Sequence, residues 1–135
     1  MVGERIIMKT ILVTCAIIRF DEKILAVQRS GTMKLPLKWE FAGGKIEAGE
    51  TEIDCIKREV LEELNLTIDL KERLTPVTHA YPDFKITLIP FLADYVSGEL
   101  KLREHADYKL VNKGDLPSLD WAEADLPVVK ELLAL

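Results

Sequence analysis

The feature that most constrains what this chain can fold into is one stretch of helical spacing set among segments patterned as strands. Ile53, Ile56, Val60 and Leu64 recur at helical intervals, so a helix would carry them as one buried stripe. Thr51 is placed as its N-cap, with Asp54 three residues on. Ahead of it, the β-branched run Thr10 to Phe20, the polar turn Asp21-Glu22-Lys23 and the run Ile24 to Gln28 predict a hairpin that ends at Arg29. Ser30 to Lys38, with Gly31 and Pro36, reads as a loop. Trp39-Glu40-Phe41 then alternates like a short strand running into Gly43-Gly44, followed by a loop from Lys45 to Glu50. Beyond the helix, extended segments are predicted near Thr67 to Arg73, Val77 to Ala80, Ile86 to Val96 and Tyr108 to Val111, with Tyr81-Pro82-Asp83 as a turn. Asp125-Leu126-Pro127 caps and begins a terminal helix, whose apolar face is Val128, Val129, Leu132 and Leu133. The order implies a mixed α/β (α+β) fold, a sheet core with helices on its faces.

At 135 residues, 48% of them hydrophobic, the chain suits one domain over residues 1–135, with no repeat or linker. A formal charge of −5 weighs against a protein that grips long nucleic acid by neutralising phosphates. A phosphate-bearing ligand would need a metal to offset that charge. Cys15 and Cys55 are too few for a disulfide framework or a zinc site and read as free thiols in a reducing compartment. The start, Met1 to Lys9, lacks a convincing cleavage site, and the apolar run Ile11 to Ile18 is too short to span a membrane. The expectation is a soluble cytoplasmic protein, monomer or homodimer, with no membrane partner.

On the predicted helix each residue advances about 100°, so Glu59, Glu62 and Glu63 share one edge beside the apolar stripe. Like charges at that spacing repel, which makes the edge locally unfavourable and calls for a compensating group. A hard divalent cation answers it, because Mg²⁺ takes oxygen ligands and commonly bridges carboxylates to substrate phosphates. The competing reading is a solvated acidic face on a surface helix.

The context upstream decides between them. Gly44, five residues, Glu50, seven residues, then Arg58-Glu59-Val60-Leu61-Glu62-Glu63-Leu64-Asn65-Leu66 resembles the Nudix box over residues 44–66. The only departure is Asn65, where the box has glycine. That position lies just past the helix and needs a left-handed conformation, for which Asn is the next best occupant. Ala42 stands where many relatives have proline. Similarity to the MutT-like branch extends to Gln28-Arg29, Trp39-Glu40-Phe41, Tyr81-Pro82-Asp83 before Ile86-Thr87-Leu88, and Trp121-Ala122-Glu123-Ala124-Asp125-Leu126-Pro127.

The resemblance implies a Nudix-type α/β/α sandwich, with a central mixed sheet between the box helix and the terminal helix. It implies Glu59 and Glu63 as principal metal ligands, Glu62 completing the carboxylate set and the Gly43 carbonyl adding an oxygen. Mg²⁺ is the implied cofactor, with Mn²⁺ as a substitute. Arg58 would bind Glu50 and so orient Glu59, or the two form a plain surface ion pair. The implied reaction is attack of a metal-activated water on a diphosphate phosphorus. The general base is Glu62 or Glu104, and Glu104 equally fits an ordinary loop carboxylate.

For a nucleotide substrate, Arg29 and Lys45 suit polyphosphate contacts, with structural ion pairing as the alternative for Arg29. Tyr81 would line a base pocket or simply pack. Asp125 matches the base-facing position of MutT-like proteins, Asn in those that select oxidised guanine, and is also an ordinary N-cap. His79 is assigned no role. The leading function is hydrolysis of a modified, oxidised or pyrimidine nucleoside triphosphate to the monophosphate and pyrophosphate, in nucleotide-pool cleansing. The alternatives are a nucleoside diphosphate derivative, such as a sugar nucleotide or dinucleoside polyphosphate, as substrate, and a non-catalytic nucleotide sensor.

Overall fold

The computed structural model describes residues 9–135. All of the Met1 to Lys9 start except Lys9 therefore lies outside the described residues. Eight strands form one mixed sheet: β1 (Thr10–Phe20), β2 (Lys23–Gln28), β3 (Trp39–Glu40), β4 (Ala42–Lys45), β5 (Thr67–Arg73), β6 (Val77–Ala80), β7 (Lys85–Ser97) and β8 (Asp107–Asn112). Helix α1 spans Glu52–Leu64 and α2 spans Leu126–Ala134. β1 runs parallel to β7, from Thr10 beside Lys85 to Arg19 beside Asp94, and its other edge pairs antiparallel with β4 and then with β2.

Alternation along β1 sorts the core onto two faces. Cys15 and Ile17 face Trp39, Trp121, Val128 and Leu132 on the α2 side. Ala16 and Ile18 face Ile56, Val60 and Leu64 on the α1 side. The sandwich expected from the sequence is the one observed. The α1 stripe is shorter than its spacing predicts, because Ile53 is 49% exposed while Cys55 is buried with Ile56, Val60 and Leu64. In α2, Val128, Val129 and Leu132 are buried and Leu133 faces solvent.

Two local choices position the site. The chain from β3 to β4 switches partners, with Glu40 beside Val27 of β2 and Ala42 beside Ala16 of β1. Phe41 sits at that switch, outside both strands. Gly43 and Gly44 are strand residues of β4, which runs into the loop at Lys45. A side chain at Gly43 would collide with the Thr14 carbonyl of β1, so only glycine lets β4 close on β1 there, and one at Gly44 would displace the Glu59 carboxylate. Among the described residues, no helix is long and apolar enough to cross a membrane.

Candidate active site

Helix α1 carries the acidic edge, and its ends are fixed as its sequence requires. Thr51 Oγ1 accepts from the Asp54 N–H at 3.1 Å. Asn65 takes the left-handed conformation, φ 61°, donates its N–H to the Leu61 carbonyl and uses its side-chain amide on the Glu99 carbonyl. The change from glycine is thus absorbed by an added hydrogen bond.

Arg58 is the hub of the edge. Its Nε and Nη2 fork onto Glu50 at 2.6 and 2.9 Å, and its Nη1 reaches Glu59 at 2.9 Å and Glu62 at 3.1 Å. Hydrogen bonding to Arg58 above all holds the Glu50 carboxyl down at about 2, and Glu50 first, then Glu59, raise Arg58 further. Nη2 also donates to the Lys45 carbonyl, tying the box loop to the helix.

Glu63 is the unusual carboxyl. It is 6% exposed and its Oε2 has no hydrogen-bond partner. Burial, then the neighbouring Glu59, then the charges of Glu104 and Glu40 push it up to about 9. A buried orphan oxygen beside a second carboxylate fits a cation. Among the described residues, no three His, Cys, Asp or Glu groups form a ready-made cage. An open-sided edge suits Mg²⁺, which is held by one or two carboxylates and takes its remaining ligands from water and phosphate oxygens.

The acidic edge adjoins a cavity of about 540 Å³ on the α2 side of the sheet. Among the sequence candidates, Arg29, Gly43, Lys45, Glu63, Tyr81, Glu104 and Asp125 line it. Glu59 lies behind Gly44, and Glu50 and Arg58 brace the helix behind it. Glu62 is on the solvent side, 60% exposed and bonded to Arg58. Arg29 makes the ion pair offered as its alternative, Nη1 to Glu40 Oε1 at 2.9 Å, and also donates through Nε to the Lys34 carbonyl.

Asp125 is not the side-chain cap its Leu-Pro context predicts. It is buried, and its Oδ2 accepts from the Phe41 N–H at 3.0 Å, satisfying the backbone donor freed where the chain changes strands. Burial first, then the charge of Glu40, pushes the Asp125 carboxyl well above the usual carboxylate range, against the lowering pull of the Phe41 N–H and the Arg29 charge, and it lines the cavity. Tyr81 is packed: its ring stacks on Phe84 at 4.8 Å and its hydroxyl accepts from the Ala124 N–H. His79, given no role, bonds Glu123 and meets Tyr81 edge-on.

Glu40, Phe84 and His105 also line the cavity and were assigned no role from sequence. Glu40 lay inside a quoted motif and His105 beside Glu104, but their pairing at 2.9 Å joins residues 65 apart, which no local pattern encodes.

The NUDIX domain family matches residues 8–132. Across 95% of each chain the protein is 31% identical to the CTP pyrophosphohydrolase of Escherichia coli. It is 30% identical to the 8-oxo-dGTP diphosphatase of the same organism, covering 95% of this chain and all of that one. It superposes on the solution structure of MutT from methicillin-resistant Staphylococcus aureus with TM-score 0.77 and 36% identity, covering 95% and 98% of the two chains. With a family match over nearly its whole length, the chain belongs to the NUDIX family, as a MutT-like hydrolase of phosphorus-containing anhydrides.

Proposed function

We propose that the protein hydrolyses nucleoside triphosphates, oxidised or pyrimidine ones foremost, to the monophosphate and pyrophosphate, and so cleanses the nucleotide pool. The observation that carries this is one cavity with a buried, unpartnered carboxyl, Glu63, and a second buried carboxyl, Asp125, both in its wall. The first suits a polyphosphate and the second a base edge. The relatives' activities on CTP and 8-oxo-dGTP support both substrate choices.

Glu59 and Glu63 would hold Mg²⁺, with the Gly43 carbonyl as a further oxygen and Mn²⁺ serving in its place; Glu62, expected to complete the set, is held off it by Arg58. Bound there, the ion supplies charge neutralisation on the phosphates and lowers the pKa of a coordinated water. Arg58 keeps Glu59 aimed by holding it between Glu50 and Glu62. Arg29 and Lys45 offer cationic donors to the phosphate oxygens. Glu104, in the cavity wall, is the better-placed general base, since Glu62 is drawn outward onto Arg58. Ionised, Asp125 would accept from an exocyclic amino group; protonated, it would present a donor and an acceptor, complementary to cytosine N3 and its amino group or to the O6 and N7–H of 8-oxoguanine. Two buried free thiols fit a reducing, cytoplasmic setting.

A pyrophosphate-release screen over normal and oxidised triphosphates, sugar nucleotides and dinucleoside polyphosphates tests the proposal. Turnover confined to the last two classes would replace it with a diphosphate-derivative hydrolase. Binding without turnover would make the protein a sensor.

A further inference from the structure

His105 lies between Glu104 and β8, with its side chain 2% exposed. Its place is fixed by backbone pairing, since the Ala106 N–H donates to the Gln28 carbonyl and Asp107 pairs with Gln28 of β2. Nε2 sits 2.9 Å from Glu40 Oε2, while the other Glu40 oxygen accepts from Arg29 Nη1 at 2.9 Å. A carboxylate that already accepts from a guanidinium takes its second hydrogen bond as an acceptor too, which puts the imidazole proton on Nε2. One hydrogen bond on each Glu40 oxygen ties the carboxylate to His105 on one side and to Arg29 on the other, so a change in the position of His105 is passed to Arg29.

Arg29 is consequently held at Nη1 by Glu40 and at Nε by the Lys34 carbonyl, and no protein group among the described residues bonds its Nη2. That leaves a pre-aimed donor in the cavity wall. Released from Glu40, the guanidinium would keep only the Lys34 carbonyl as its anchor.

We propose that His105 is a positioning residue that acts through Glu40 to hold the Arg29 guanidinium open toward the substrate, and that it does not serve the acidic edge beside its neighbour Glu104. The kinetic side of this inference rests on the triphosphate reading above; the geometric side does not.

Two measurements test it. In NMR of isotope-labelled arginine, the Arg29 Nε–H signal, assigned by its loss in Arg29→Ala, should shift in His105→Leu and in Glu40→Gln, and should stay near the native position in His105→Gln, whose amide can still donate. A signal unmoved by His105→Leu overturns the proposal, whatever the enzyme's activity. In steady-state kinetics, His105→Leu should raise KM for the triphosphate about tenfold, the worth of one charge-assisted hydrogen bond. Its kcat and Mg²⁺ half-saturation should stay within about twofold, and it should add little to Arg29→Ala, because residues acting in series are not additive. A fall in kcat with a raised Mg²⁺ requirement, undiminished in the Arg29→Ala background, places His105 with the acidic edge and overturns the proposal. If His105→Leu does not fold, His105→Asn, too short to reach Glu40, takes its place with the same outcomes. If the native protein turns over no triphosphate, the proposed function fails while the NMR result still decides this one.

Discussion

Replacing Asp125 with Asn should make the protein more stable, by an amount that depends on pH. The Asp125 carboxyl is buried, and burial together with the Glu40 charge raises it well above its ordinary 3.8. A group raised on folding contributes fully below its unfolded value, and that contribution is lost as pH rises through the folded value. Asn stays neutral throughout and offers an amide oxygen to the Phe41 N–H in place of Oδ2. The two proteins should therefore have similar stability at pH 3.8 and separate above it, by about 1.4 kcal/mol for each pH unit until the curve flattens. The pH of flattening reads the folded pKa. Glu63 titrates in both proteins and cancels in the difference. The assay is urea unfolding of both proteins across a pH series, with midpoints and slopes compared. A difference that does not change with pH would refute the claim that burial raises the Asp125 carboxyl. A base ranking unchanged in Asp125→Asn would separately remove its role in reading the substrate.

Gly44→Ala puts a methyl group where the Glu59 carboxylate lies, so kcat should fall by about a hundredfold with only a small change in melting temperature, the signature of a misplaced ligand rather than a broken fold. Glu50→Gln should cost stability at neutral pH but little near pH 2, because a carboxyl held down by Arg58 contributes above its ordinary 4.5 and loses that contribution as pH falls toward about 2. Acid titrations of both proteins followed by circular dichroism check this, and parallel curves would deny the pairing. Tyr81→Phe strips the Ala124 N–H of its acceptor in a buried site and should lower stability by about 1–3 kcal/mol in urea unfolding.

How far the sequence reveals these features depends on how local their causes are. Helix α1, its Thr51 cap and the left-handed Asn65 follow from neighbours within a few residues, and all were readable. The Arg58–Glu50 pair was readable because the box spacing carries it. The strand running into Gly43 and Gly44 was readable, but not why both are glycine, since the reason lies in Thr14 and Glu59 pressing from other elements. Asp125 misled: its local setting is that of a cap, but its carboxylate is drawn to Phe41, 84 residues away, by a backbone donor that exists only because β3 and β4 pair with different strands. The Arg29, Glu40 and His105 chain depends on three segments meeting, and no spacing within any one of them foretells it.

The central claim is that the edge formed by Glu59 and Glu63 binds a divalent cation that the reaction needs. Glu63→Gln keeps the shape of the buried carboxyl but removes its charge, so pyrophosphate release should be followed alongside Mn²⁺ binding by paramagnetic resonance in the native and altered proteins. Mg²⁺-dependent turnover is expected in the native protein, with both turnover and tight Mn²⁺ binding lost in Glu63→Gln while the fold persists. Undiminished, metal-dependent turnover in Glu63→Gln would contradict the claim.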